Sequence, residues 1–166
     1  MRFTAEQHFT AAGPDDVARA FADPGLFDEY PAGARLARPE IVAHEVDGDV
    51  VRLQVRYRFC GDLSPAVRAV VDPDRLSWVE HSTHDLAKRT TTYVLRPDHY
   101  ADRVRCEGSV RIEADGAGAR RTLSGDLKVR ALLVGGTVER TLVQDLQDHL
   151  HAEVEVVEAF LARRAS

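Results

Sequence analysis

The stretch from Thr137 to Arg164 constrains the fold of this chain more than any other. Gly135-Gly136 interrupts a long strand-rich region, and from Thr137 onward the residues read as one amphipathic helix. On a wheel of about 100° per residue, Leu142, Leu146, Leu150, Val157, Phe160 and Leu161 fall within a single arc of roughly 100°. An arc that wide needs a sheet to cover, and the preceding residues alternate as strands do. The expected object is α+β, a curved antiparallel sheet of about seven strands wrapped around a long C-terminal helix, able to enclose an apolar cavity.

A chain of 166 residues is large enough to bury one substantial core, so a single domain over 1–166 is expected. The net charge of -5, with acids and bases interspersed, offers no basic stripe to track a phosphate backbone, and nucleic acid is not an expected partner. The positive charge is nearly all arginine, Lys88 and Lys128 being the only lysines. Two cysteines, Cys60 and Cys106, have neither the number nor the spacing of a disulfide framework or a zinc site. Met1 to Glu6 carries no apolar leader region, and nowhere do about 18 apolar residues run together as a membrane span requires. A cytoplasmic protein without a membrane span is the expectation.

Residues 2–10 alternate, with Phe3, Ala5, Gln7 and Phe9 on one face, and read as a half-buried strand. Gly13-Pro14-Asp15-Asp16 starts a helix, since proline suits the first turn and carboxylates favour the positive end of the helix dipole. Asp23-Pro24 ends it, and Leu26, Phe27 and Tyr30 suggest a second short helical turn before Pro31. Between 36 and 60, two apolar segments flank Asp47-Gly48-Asp49, a hairpin signal. In the second segment Val51, Leu53, Val55, Tyr57 and Phe59 alternate with Arg52, Gln54, Arg56 and Arg58, whose charged row should face water. Residues 61–75 form a connector with a helical turn at Ala66 to Val71. Strands are expected at about 75–84, 88–96, 103–114 and 119–131, the last setting Leu123, Gly125, Leu127 and Val129 against the core. Gly108 and Gly125 sit inside strands, a placement that marks bending or the close approach of another element.

That order of elements resembles the helix-grip fold of the START/SRPBCC superfamily, which includes birch-pollen-allergen-like and aromatase/cyclase-like proteins. Phe9-Thr10-Ala11-Ala12-Gly13-Pro14-Asp15-Asp16-Val17, followed by Phe21-Ala22-Asp23-Pro24, is similar to the opening of these proteins. The junction Val129-Arg130-Ala131-Leu132-Leu133-Val134-Gly135-Gly136-Thr137-Val138-Glu139 resembles an actinobacterial branch of uncharacterised function. Leu132 departs from that pattern, standing where a proline is expected. The resemblance implies binding of lipids, sterols, polyketides or other hydrophobic ligands between sheet and helix. It brings no universal catalytic residues.

Glu139 and Glu153 project inside the apolar arc of the last helix and not opposite it. Glu139 is explained as a first-turn acid stabilised by the helix N-terminus. Glu153 lies mid-helix and must be paired or neutralised if buried. His149 precedes it by one turn, so the two side chains can meet, either to serve a polar ligand group or merely to satisfy each other at the edge of the core. If Trp78 faces inward, Glu80, Ser82 and His84 share its face and make a wall that is both apolar and hydrogen-bonding. The alternative is an exposed strand end with only Trp78 in the core, which is the expectation for His84 beside the turn. Tyr57 and Tyr93 are lining candidates as apolar bodies with polar tips. Cys106 should face inward as an inert thiol. His81 and His84 point to opposite faces of a strand, and His149 and His151 differ by about 200° on a helix, so neither pair makes a zinc clamp. No cofactor motif is present.

The leading expectation is a carrier of a hydrophobic small molecule, whether lipid, polyketide-like or aromatic. Its lining would be Tyr57, Trp78, Tyr93, Cys106, Leu127, Leu142 and Leu146, with polar contacts from Glu80, His149 and Glu153. A cyclase or dehydratase using a cavity His or Glu for proton transfer is the alternative, without metal. A partner-binding module with a filled core, docking through Arg52, Arg56 and Arg58, is the third.

Overall fold

A computed structural model describes residues 1–31, 36–69, 71–131 and 135–165, with Ala66 described by its backbone alone. Seven strands form one antiparallel sheet: β1 (Arg2–Phe9), β2 (Glu40–Asp47), β3 (Val50–Arg58), β4 (Ser77–Asp85), β5 (Thr90–Pro97), β6 (Val104–Asp115) and β7 (Gly118–Val129). Their order across the sheet is β1-β7-β6-β5-β4-β3-β2, so the meander from β2 to β7 is closed off by β1, which returns to pair with β7. The helices are α1 (Pro14–Phe21), the short α2 (Pro65–Arg68) and the long α3 (Gly135–Arg164). Two 3-10 turns, Pro24–Glu29 and Pro73–Arg75, complete the elements among the described residues.

Local chemistry accounts for these elements. Pro14 begins α1 with Asp15 and Asp16 in its first turn, and Val17, Ala18, Ala20 and Phe21 are buried from it. The expected second helix is the 3-10 turn, closed at its start by the Asp23 carboxylate accepting from the Gly25 amide at 2.8 Å. Asp47 pairs with Val50, so the hairpin falls where the Asp-Gly step places it. The helix α3 includes Gly135 and Gly136, two residues earlier than the break in pattern suggests. Leu132, the departure noted in that junction, lies outside the described residues.

The core lies between the inner sheet face and the helices. Phe9, Val17, Leu26, Leu53, Val55 and Val157 are its largest wholly buried side chains. α3 packs on β1 and β7, and also on α1 and the Pro24–Glu29 turn. Its C-terminal end is tied down by ion pairs from Arg163 to Glu29 and Arg164 to Asp23. The helix is thus anchored over one side of the sheet, and the inner faces of β3, β4 and β5 extend away from beneath it.

Gly108 and Gly125 stand opposite each other on β6 and β7. A methyl group added at Gly108 would overlap the Ser124 carbonyl and the Tyr93 ring; one at Gly125 would lie 2.5 Å from both Phe3 and the Tyr93 hydroxyl. The pair therefore makes a notch in which the Tyr93 ring lies across two strands, its hydroxyl donating to the Ser124 carbonyl at 3.4 Å. This is the close approach that glycines inside strands suggest.

Candidate functional site

Residues opposite each other in an antiparallel ladder share a face, so the register lays out the inner wall directly. One row crosses the sheet as Val55, Glu80, Leu95, Cys106 and Leu127. The next contains Leu53, Ser82, Tyr93, Gly108, Gly125 and Phe3, and a third Val51, His84, Thr91, Val110, Leu123 and Ala5. At one end Tyr57 faces Trp78, the rings stacked at 5.8 Å between centroids and 19° between planes. At the other end Arg121 stands between Ile112 and Gln7. All six strand residues expected at the site, Tyr57, Trp78, Glu80, Tyr93, Cys106 and Leu127, are on this face.

They do not all do the same thing. Tyr93, Cys106 and Leu127 are packed into the floor. Burial pushes the Cys106 thiol up to about 12, which leaves it protonated and unreactive at neutral pH. Tyr57, Trp78 and Glu80 are instead half-buried, as are Leu146 and His149 across from them on α3. Glu80 keeps some accessible surface, yet its carboxyl is raised to about 7, burial being the largest cause, Arg121 opposing it and Glu153 adding to it. The Tyr57 hydroxyl is likewise raised well above its ordinary value by burial and then by Glu80. Partial access with strong desolvation sets these side chains apart from both the packed floor and the open surface.

Leu142 corrects one expectation. It sits at one edge of the apolar arc of α3, at the same wheel angle as the buried Phe160, but it is 37% exposed. Its neighbours on the helix, Val138, Val143 and Leu150, are buried. Leu142 is thus an apolar member of the arc that the packing of α3 leaves open.

A second correction concerns Glu153. The side chain is buried, but the expected partnership with His149 is not the one formed. The Tyr30 hydroxyl donates to Oε1 of Glu153, Gln7 Nε2 donates to Oε2 at 2.9 Å, and Arg121 Nη1 lies 3.5 Å from Oε2. Gln7 also donates to the Leu150 carbonyl at 2.7 Å and accepts from Arg121 Nη1 at 2.5 Å. The guanidinium of Arg121 lies 3.9 Å over the Phe21 ring, and its Nε is buried without a partner among the described residues. His149 is stacked on Tyr30 at 6.0 Å, and Tyr30 stacks in turn with Phe27 at 5.8 Å. Glu153 is therefore a structural tie between α3, β1, β7 and the turn before Tyr30, with both carboxylate oxygens occupied.

Three members of this cluster, Arg121, Gln7 and Tyr30, are not among the expected site residues. The signal for Arg121 and Gln7 was present. Arg121 has the same parity as Leu123, Gly125 and Leu127, and Gln7 lies between Ala5 and Phe9 on the apolar face. His84 also departs from expectation. It is buried, its ring nitrogens each 3.0 Å from a hydroxyl, Ser82 on one side and Thr91 on the other. Burial, reinforced by Arg121, lowers it to about 4, so it is a neutral hydrogen-bonding member of the wall.

Glu139, by contrast, behaves as a structural acid, accepting from the Val129 amide at 2.8 Å and lying 3.6 Å from the N-terminal amine. On the outer face Arg56 pairs with Asp98 at 3.3 Å, which removes part of the charged row from any docking role. A separate groove of about 310 Å3 lies where the β2–β3 edge of the sheet meets the end of α1 and the turn after it, lined by Arg19, Ala22, Asp23, Pro24, His44, Val46, Val51 and Leu86. It is shallow, and two of its charged side chains are paired, Arg19 with Asp16 and Asp23 with Arg164. Among the described residues no helix is long and apolar enough to cross a membrane.

Comparison with known proteins places this geometry. A family model described as a protein of unknown function (DUF2505) matches residues 4–161. No curated protein matches the chain. Among solved structures, a Thermus thermophilus protein is similar with a TM-score of 0.67 at 18% identity, the match covering 100% of both chains. The Zhui aromatase/cyclase of Streptomyces gives 0.61 at 20% identity, over 100% of this chain and 97% of that one. Norcoclaurine synthase from Thalictrum flavum gives 0.63 at 15% identity, over 98% and 87%. At these identities the likeness is one of fold, the α+β helix-grip arrangement.

Proposed function

We propose, for a chain that belongs to the DUF2505 family of unknown function, that it binds a hydrophobic small molecule in the cleft between α3 and the inner faces of β3, β4 and β5. The observation that carries this reading is the uncovered inner wall. Tyr57, Trp78, Glu80, Leu142, Leu146 and His149 face inward, yet none is buried, whereas Leu53, Val55, Tyr93, Cys106 and Leu127 on the same sheet face are. Leaving that much apolar surface unfilled costs about 25 cal/mol for each Å2, which a bound apolar ligand would recover. Cleft aromatics and a carboxylate suit a ligand with a ring or chain and one polar group.

Native mass spectrometry of the purified protein, with organic extraction of anything released, tests this. A co-purifying apolar compound supports it. A bare mass, together with no gain in thermal stability from a panel of apolar compounds, overturns it and favours a domain whose core is filled by its own side chains.

A second reading, an enzyme of the cyclase or dehydratase kind, is favoured by Glu80. Its carboxyl, raised to about 7 beside the Tyr57 hydroxyl, has the proton affinity that suits a general acid or base at neutral pH. The names of two solved structures of like fold, an aromatase/cyclase and a synthase, lend this reading support. It requires that Glu80→Gln abolish turnover of a bound ligand, and it falls if that variant turns the ligand over at the wild-type rate.

A further inference from the structure

Resting on the reading of the cleft as a ligand site, the charge inventory of its walls points to a ligand class. Arg121 on β7 has its Nη1 engaged by Gln7 and Glu153, and its guanidinium is packed over Phe21. Glu153 on α3 is occupied at both oxygens by Tyr30, Gln7 and Arg121. These two charges offset each other. His84 on β4 is neutral, and burial keeps the hydroxyls of Tyr30, Tyr57 and Tyr93 and the Cys106 thiol protonated. His149 on α3 is stacked on Tyr30. What remains is Glu80, which has no hydrogen bond or ion pair among the described residues and keeps accessible surface inside the cleft.

An acidic ligand would bring a second negative charge to Glu80 and find Arg121 already committed. A neutral alcohol can bond to the protonated carboxyl but gives nothing to balance the ionised one. A protonated amine meets both needs, because the Tyr57 and Trp78 rings beside Glu80 also attract a cation. We propose that the cleft takes an amphiphilic organic amine, its ammonium against the Glu80 carboxylate and the Tyr57 and Trp78 rings, its apolar ring or chain running toward Leu142 and Leu146.

Binding of such a cation requires Glu80 ionised. The free protein holds that proton below about pH 7, so binding at lower pH must expel it. Arg121 and Glu153 face the same space, but their mutual pairing leaves Glu80 as the group that this ligand titrates.

The test uses the full chain with three probes of equal length, octylamine, 1-octanol and octanoate, in calorimetric titrations at pH 8 and pH 5.5. The amine, protonated at both since an alkyl ammonium loses its proton near pH ~10, is expected to bind at least tenfold more tightly than the alcohol at pH 8. Its affinity should fall about 30-fold at pH 5.5, with proton release visible as a dependence on the buffer's ionisation heat. In Glu80→Gln the amine's advantage over the alcohol should shrink to within about threefold and its pH dependence vanish. Trp78→Leu, which leaves Glu80 in place, should weaken the amine more than the alcohol. If octanol or octanoate binds as well as the amine, or Glu80→Gln keeps the amine's advantage, the amine assignment is overturned while the apolar-ligand reading stands. If none of the three probes binds, the amine assignment is overturned, and the native mass spectrum decides the apolar-ligand reading separately.

Discussion

At the scale of single residues, Glu153 shows how a buried acid is tolerated. Its oxygens meet Tyr30, Gln7 and Arg121, contributed by three widely separated stretches of chain. Removing one member of a buried ion pair leaves the other uncompensated, which typically costs more than removing both. Glu153→Ala is therefore expected to lose about 3–5 kcal/mol of unfolding free energy, leaving Arg121 unpaired and the Tyr30 hydroxyl without its acceptor. The double variant Glu153→Leu with Arg121→Met should lose clearly less than the sum of the two single changes. Urea denaturation of the three variants measures this, and simply additive costs would show that the cluster does not act as a unit. Helical periodicity could not have named these partners. It shows which side chains lie one turn apart, and so suggests His149, whereas Tyr30 is distant in sequence and reaches Glu153 only through the packing of the whole molecule.

At the scale of elements, strand parity was the legible part. It placed Tyr57, Trp78, Glu80, Tyr93, Cys106 and Leu127 on one face, and the ladder register puts all six there. The division of that face into floor and open wall was not legible, because it depends on where α3 comes to rest, over β1 and β7. The glycine notch gives an element-level test. The clash facing a methyl at Gly108 includes the Ser124 backbone carbonyl, while the contacts facing one at Gly125 are the side chains of Phe3 and Tyr93. Gly108→Ala should cost several kcal/mol whatever stands at position 93, by forcing the two strands apart, in the manner of an overpacked core. Gly125→Ala should be partly relieved when combined with Tyr93→Leu. Thermal denaturation of the two pairs decides it, and equal rescue of both would mean that the backbone contact at Gly108 is not limiting.

At the scale of the whole molecule, two titrating groups on the same wall oppose each other. Glu80 is raised from 4.5 to about 7, so between those values the fold holds a proton that the unfolded chain has lost, and stability falls as pH rises. His84 is lowered from 6.5 to about 4, so there the unfolded chain holds the extra proton and stability rises with pH. Each slope is about 1.4 kcal/mol per pH unit, and over the shared window, from 4.5 to 6.5, they cancel. Glu80→Gln should expose the His84 slope, a loss of about 2–3 kcal/mol on acidification across that window, and His84→Gln the reverse slope. Two variants with the same pH profile would refute the opposition. The return of β1 to β7 has another consequence, one of timing. Phe9 pairs with Ala119, about 110 residues later. At a ribosomal pace of about 5–20 residues per second, the first strand waits roughly 5–20 s for its partner, and longer for the helix that covers it. During that interval the apolar face of the first strand stays uncovered, so a chain stalled before Ala119 should aggregate more readily than the finished one.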